Sequence, residues 1–337
     1  MSTVLVTGAT GFIGRHLVEA LLRRGERVRC LVRGGRRDEA LRKLDVELVT
    51  AALDQPAELA AAVAGAEAVY HLAGLTQSLT FGELSRVNGE GTAAVAAACA
   101  EQSQPPRLIY VSSLSAAGPA PRGQILIETD PPAPDSDYGR SKLAGENAVR
   151  REAAKVPSTI VRPGVVFGPR DPEIVRMLQF IVWARFHLSP GLHPPALSFI
   201  YVADLVELLL RAADHGSRLT AGNNGHAGQG IYFATAAEHP TYAELGMIVR
   251  PMVRRPWAPV ISLPAPVAWC VAGFSEGLSR IRGRADVLNL DKMREALATN
   301  WACSGEAASR ELGFTPARPL EERLRETIDW YRAEGWL

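Results

Sequence analysis

The sequence predicts an α/β fold, a doubly wound parallel sheet with a smaller C-terminal lobe, and three observations predict it. From residue 3 to about 170, short apolar β-branched runs alternate with amphipathic helical stretches. A glycine-rich turn joins the first run to the first helix. After residue 170 the alternation breaks into proline- and glycine-rich stretches. Strands that alternate with helices pair in parallel and are covered on both faces.

The elements follow in order. "TVLVTG" reads as a buried strand, and "FIGRHLVEALLRRG" sets Ile13, Leu17 and Leu21, with Val18 and Leu22, on one helical face that Gly25 ends. "RVRCLV" is the next strand, and Asp54, Pro56 and Glu58 open a helix before "LAAAVAG". "AVYHLAG", "RLIYVSS" and "STIVRPGVVFG" are further strands. Beyond them come the proline cluster "PGLHPP" at 190–195 and the polar loop "HGSRLTAGNNGHAGQG". A capping box, Thr241 with Glu244, starts another helix, and "LEERLRETIDWYRAEGWL" reads as a last amphipathic one. No internal repeat is visible. Residues 171–337 are expected to close mainly as a lobe over the open sheet edge, returning some segments to the core.

Composition sets outer limits. The 337 residues are 47% hydrophobic and 22% charged with a formal net charge of +1, which suits a soluble globular chain and gives no reason to expect nucleic acid. Cys30, Cys99, Cys270 and Cys303 form no CxxC pair and read as buried free thiols in a reducing compartment. The opening "MSTVLVTGATGFIG" lacks the pattern of a secretion signal, so a cytoplasmic location is expected. No apolar run reaches the ~18 residues of a membrane span. "LPAPVAWCVAGF" at 263–274 comes nearest; the sequence leaves open whether its segment, 263–280, meets a membrane surface, a dimer partner or the substrate.

"TGATGFIG" places Gly8, Gly11 and Gly14 between strand and helix, where backbone can approach a pyrophosphate that the helix N-terminus favours. Residues 1–170 therefore read as a Rossmann-type dinucleotide-binding domain. Such a domain usually carries Asp or Glu about 20 residues on, accepting hydrogen bonds from the adenosine ribose. Here Arg33 follows "RCLV", with Arg36 and Arg37 nearby. A guanidinium cannot accept those bonds but pairs with a phosphate through two donors, so NADP(H) is preferred over NAD(H).

"DYGRSKLAGE" holds Tyr138 and Lys142 at i, i+4, on one helical face. A phenol that titrates near ~10 needs a neighbouring cation to exchange protons at neutral pH. Ser112, Ser113 and Ser115 in "YVSSLS" end a strand at the ligand edge, where a hydroxyl can steady a reacting oxygen.

"TGATGFIG", "HLAG", "VNGEGT", "YVSSLS", "YGRSK" and "RPGVVFGP", in this order, resemble the extended short-chain dehydrogenase/reductases. The resemblance, which extends to "FIYVADL" and the tail, implies Tyr138 as acid/base, Lys142 as the ribose-binding cation that lowers the tyrosine pKa, and Ser113 as the oxygen-binding hydroxyl. It also implies that Gly8, Thr10, Gly11, Phe12, Ile13 and Gly14 line the pyrophosphate, Ala73 the adenosine half, and Pro163 and Val165 the nicotinamide end. Asn88 is expected to fasten a helix rather than to do chemistry.

Two departures point to a branch. Ala52 stands where members often carry an adenine-contacting aspartate, leaving Leu53 to contribute backbone and Asp54 two residues late. Valine stands in Arg162–Gly168 where sugar epimerases and dehydratases usually carry a nucleotide-contacting asparagine. With Arg33, this resembles the dihydroflavonol reductase and hydroxysteroid dehydrogenase branches. The expected reaction is hydride transfer between NADP(H) and a carbonyl or secondary alcohol on an apolar small molecule. Alternatives are an NAD-retaining nucleotide-sugar epimerase or dehydratase, and a non-catalytic NADP sensor. Met177, Phe180, Trp183, Phe186, Trp269 and Phe274 are candidates for an apolar pocket as well as for core, and His71, His187 and His193 show no metal-ligand spacing, so no metal is expected. The alanine-rich helix "GTAAVAAACA" allows close helix approach, and the resemblance implies a homodimer built on it and the Tyr138 helix.

Overall fold

The computed structural model describes residues 2–220, 228–283 and 289–337; part of the polar 215–230 loop lies outside the described residues. The first half forms strands β1 (Thr3–Thr7), β2 (Arg27–Val32), β3 (Val46–Thr50), β4 (Ala68–His71), β5 (Arg107–Val111) and β6 (Ser158–Pro163). The second half adds β7 (Val165–Phe167), β8 (His187–Pro190), β9 (Phe199–Tyr201), β10 (Ile231–Ala234) and β11 (Val260–Leu263). Seven strands make one parallel sheet in the order β10-β6-β5-β4-β1-β2-β3, while β11-β8 and β7-β9 form two small pairs. The chain winds outward from β1 to β3, then returns to start the other half at β4. The crevice where ligands of such sheets bind therefore opens between β1 and β4.

Strand alternation divides the core. Val4 and Val6 face the helices Phe12–Arg23 and Val202–His215, meeting Leu17, Leu21, Val206 and Leu209. Leu5 points the other way, with Val69, Leu108 and Tyr110, onto Leu59, Val95 and Val149 from the helices Pro56–Val63, Gly91–Ala100 and Asp137–Glu152. The lobe has its own core, where Phe167, Leu178, Phe199 and Leu245 meet Leu324 and Tyr331 of the last helix, Leu320–Ala333.

Two expectations need correction. The run expected as one strand, "STIVRPGVVFG", is two: β6 stays in the main sheet and β7 turns away to pair with β9. Gly164 is the break, because a side chain there would collide with the Ser198 carbonyl. Cys30, Cys99 and Cys303 are buried, but Cys270 is exposed on the helix Ala265–Arg282, whose buried face is limited to Ala268, Ala272 and Ser279.

One polar knot lies inside the sheet–helix layer. Arg162 on β6 is 1% exposed and binds Glu146 of the Tyr138 helix through Nε–Oε1 at 2.8 Å and Nη2–Oε2 at 2.7 Å. Ser112 Oγ donates to the same carboxylate at 2.7 Å, and Arg150 lies 3.3 Å away. Burial alone would raise the Glu146 pKa, but Arg162 outweighs it and the pKa falls below its ordinary value. This contribution to stability is present above the unfolded carboxylate pKa and is lost as pH falls through the folded one. Arg162→Met strands the carboxylate and should cost about 3–5 kcal/mol in urea unfolding at neutral pH; a loss below ~1 kcal/mol would refute the reading.

Candidate active site

The crevice is bounded by a loop that backbone, not side chains, shapes. Gly8 has φ +72° and lies so near β4 that a Cβ would sit 2.7 Å from the Ala73 amide nitrogen. A Cβ on Gly14 would run into the Gly8 carbonyl. The helix that follows begins at Gly11 with no side-chain cap, so its first N–H groups are not claimed by a capping side chain. A tight backbone cradle with an uncapped helix N-terminus is a fit for a dinucleotide pyrophosphate.

The other cofactor candidates lie at the same carboxyl edge. Thr10 and Gly11 are exposed in the loop, with Phe12 and Ile13 half-buried at the helix start. Arg33 directly follows β2 and is exposed; among the described residues no ion pair engages Arg33, Arg36 or Arg37. Asp38, the nearest acid in sequence, is 2% exposed and so is withdrawn from the crevice surface. Ala73 follows β4, its N–H donating to Thr7 Oγ1 at 3.2 Å. Leu53, after β3, packs against Gly91, while Pro163 ends β6 and Val165 is exposed beyond it.

Ser113, Tyr138 and Lys142 converge on this edge beside β5. Ser113 follows the strand, accepts the Ser115 N–H at 3.1 Å, and its hydroxyl is near enough to the Tyr138 phenol to favour the phenolate. Lys142 is buried; its Nζ donates to the Val111 carbonyl at 2.8 Å and lies 4.5 Å from the Tyr110 ring centre. Burial brings its pKa down to about 7, against the opposing pull of Glu146. Gly74 approaches it from the loop after β4.

The cation over the Tyr138 ring is a different one, which sequence reasoning missed. Lys292 Nζ stands 5.3 Å from that ring centre and 3.1 Å from Glu295 Oε2. Its short helix, Leu290–Ala296, also holds the start of the Tyr138 helix. Asp291 accepts the N–H groups of Asp137 (2.7 Å) and Tyr138 (3.1 Å), and Glu295 accepts from the N-cap hydroxyl of Ser136 (2.7 Å). Burial raises the Tyr138 pKa, and Lys292 and Ser113 pull it back. The carboxylates one turn apart in "LDKMREA" were the available signal; nothing in sequence says which helix they meet.

A cavity of about 220 Å³ opens at Asp137, the residue before Tyr138, between the 76–81 loop and residues 276–280 and 289–294; Tyr138 itself does not line it. Its lining is largely polar and includes Thr76, Gln77, Ser78, Asp137, Glu276 and Lys292. The aromatic candidates lie elsewhere: Trp183 and Phe274 are exposed, Phe180 and Phe186 pack on each other, and Trp269 and Met177 are half-buried in side clusters. Asn88 ties the Leu75 backbone to Ser141 through its amide, a structural bond pattern. His71 is clasped by Thr7 and Thr92, and burial drives its pKa down to about 3. His187 is hydrogen-bonded to the Tyr242 carbonyl and His193 falls in no metal-holding cluster among the described residues.

A nucleotide cradle at the switch point of a parallel sheet, with a Ser–Tyr–Lys set beside it, defines a nicotinamide-dependent enzyme. The family model "NAD dependent epimerase/dehydratase family" matches residues 4–226, and the chain belongs to that family, within the extended short-chain dehydrogenase/reductases, as an NAD(P)-dependent oxidoreductase. The chain is 34% identical to ceramide reductase of Caulobacter vibrioides over 99% of its own length and 96% of the relative's. It is 29% identical to sterol demethylase protein B of Methylococcus capsulatus, over 99% and 100%. The crystal structure of gox2253 superposes over 100% of both chains at TM-score 0.80 and 26% identity.

Lys292→Met should raise the Tyr138 pKa, because the cation that favours the phenolate is gone. Spectrophotometric tyrosinate titration, differenced against Tyr138→Phe, checks it; an unchanged or lowered pKa would show that the cation does not act on the phenol.

Proposed function

We propose that the chain is an NADP(H)-dependent ketoreductase acting on a ketone carried by an amphiphilic, lipid-like small molecule. The observation that carries the reading is the convergence of Ser113, which caps the helix after β5, with Tyr138 and Lys142 of one helix at the carboxyl edge of the sheet. The name of the Caulobacter relative supports a lipid-class substrate, and the polar cavity at Asp137 supports a polar head on it. Arg33, exposed and unpaired, supports the 2′-phosphate of NADP(H).

When bound, the nicotinamide supplies the hydride that reaches the carbonyl carbon. Ser113 donates a hydrogen bond to the substrate oxygen and holds it beside the Tyr138 hydroxyl. Tyr138 gives its proton to that oxygen as charge builds there, so one hydride and one proton turn the ketone into a secondary alcohol. Lys292 stabilises the phenolate left behind, which regains a proton from solvent, and Lys142 would hold the nicotinamide ribose. Gly8, Thr10, Gly11, Phe12, Ile13 and Gly14 seat the pyrophosphate, Leu53 and Ala73 flank the adenosine, and Pro163 and Val165 close the nicotinamide end. We propose further that the protein works in the cytoplasm and as a homodimer through the Gly91–Ala100 and Asp137–Glu152 helices.

The polar lining also favours a second reading, a nucleotide sugar handled with retained NAD. Nucleotide content separates the two. The reductase should purify with exchangeable cofactor and bind NADPH at least about tenfold more tightly than NADH, and Arg33→Ala should remove that preference, since a charge-assisted hydrogen bond contributes roughly 1.5–3 kcal/mol. Stoichiometric NAD released only on denaturation would overturn it. Tyr138→Phe should lower kcat about 10²–10⁴-fold while leaving NADPH binding intact; activity within tenfold of the parent would remove Tyr138 from its role.

A further inference from the structure

The helix Ala265–Arg282 buries only Ala268, Ala272 and Ser279 and leaves its other side without a partner among the described residues. Val267, Val271, Phe274 and Ile281 are spaced 4, 3 and 7 residues apart and fall within an arc of about 80°. Phe274 is 78% exposed and Ile281 84%, with Val267 and Val271 also exposed. Single exposed apolar residues are ordinary, but a continuous stripe over four turns is not. The preceding segments add two nearly bare indoles, Trp257 at 93% and Trp183 at 81% exposure. Arg255 Nε donates to the Val182 carbonyl at 3.3 Å, and β8 pairs with β11, so both indoles belong to the structure that leads into this helix.

Charge says what covers the stripe. From Met247 to Gly283 the chain carries five arginines and one acid, Glu276, in a protein whose net charge is only +1. Glu276 is already engaged, by Arg280 at 2.7 Å and the Leu290 N–H at 3.1 Å. Arg282, next to Ile281, is exposed, as is Arg254. A second copy of this face would set arginine against arginine. Anionic head groups would meet the arginines while the stripe and the indoles sink into the acyl boundary. No helix among the described residues is long and apolar enough to cross a membrane, so the helix must lie in the plane.

We infer that this face docks on an anionic lipid bilayer through the Val267–Ile281 stripe and its flanking arginines. The same helix walls the cavity at Asp137 with Glu276, Ser279 and Arg280, so docking brings the cavity next to the bilayer surface. The inference goes beyond the ketoreductase reading and needs no turnover.

The test is co-sedimentation of the full chain, without cofactor or substrate, with vesicles of phosphatidylglycerol and phosphatidylcholine compared with phosphatidylcholine alone. Binding should favour the anionic vesicles, weaken as salt rises, and fall at least about tenfold in Phe274→Ser/Ile281→Ser. Because both side chains are exposed, that variant should melt like the parent. Arg254→Gln/Arg282→Gln, which changes no buried contact, should lower binding and its salt dependence. Parent protein that stays in the supernatant, or variants that bind like the parent, would overturn the inference. So would a dimer in sedimentation velocity that Phe274→Ser/Ile281→Ser dissolves.

Discussion

The buried pair Glu146–Arg162 fixes the frame on which the site is built. Its carboxylate is bound by a residue of β6, by the residue after β5 and by Arg150 of its own helix. Removing two charges from water is expensive, and only a bidentate geometry with every lone pair occupied makes it tolerable. The interaction is therefore directional, as an apolar contact is not. It sets the rotation of the Asp137–Glu152 helix against the sheet, and with it where Tyr138 and Lys142 project. Ser112, which donates to the pair, is the neighbour of Ser113, so the same knot places the hydroxyl that meets the phenol.

The two lysines near the site then have different characters. Lys142 is shut inside, with a backbone carbonyl and a ring as partners, and burial brings its pKa toward neutrality. Burial pulls the Lys292 pKa down, but Glu295, Tyr138 and Glu173 together outweigh it and raise the pKa. The first can change protonation near neutral pH, while the second stays cationic over the Tyr138 ring. An ammonium that is always charged supports a phenolate, and one that is nearly neutral does not oppose a cation bound nearby.

Much of this was legible in the sequence because local periodicity and short-range turn chemistry encode it. The β-branched runs gave the strands of the first half, and the three glycines gave the cradle, since a side chain at Gly8 or Gly14 has nowhere to go. The i, i+4 spacing of Tyr138 and Lys142 put them on one helix face. What stayed hidden depends on contacts distant in sequence. Gly164 looked like part of a strand until Ser198 was found across it, and Glu146 met Arg162 without any pattern marking either as buried. Lys292 reaches Tyr138 across a separation of 154 positions in the sequence. The aromatic residues stay ambiguous for a related reason: helical spacing shows that they share a face, but not whether that face is core, cavity or surface.

The cavity wall and the Tyr138 helix share one strut. The Leu290–Ala296 helix meets the outer helix through Met293, which is buried with Ala268 and Ala272, and meets the Tyr138 helix through Asp291 and Glu295. Its apolar and charged contacts lie on two turns of one element, so neither can shift without the other. Glu276 binds the Leu290 N–H and closes the loop from the outer helix back to the strut. A displacement of the Ala265–Arg282 helix would thus strain the hydrogen bonds that Asp291 makes to Asp137 and Tyr138. The cavity wall and the Tyr138 helix are mechanically linked by residues of one short helix.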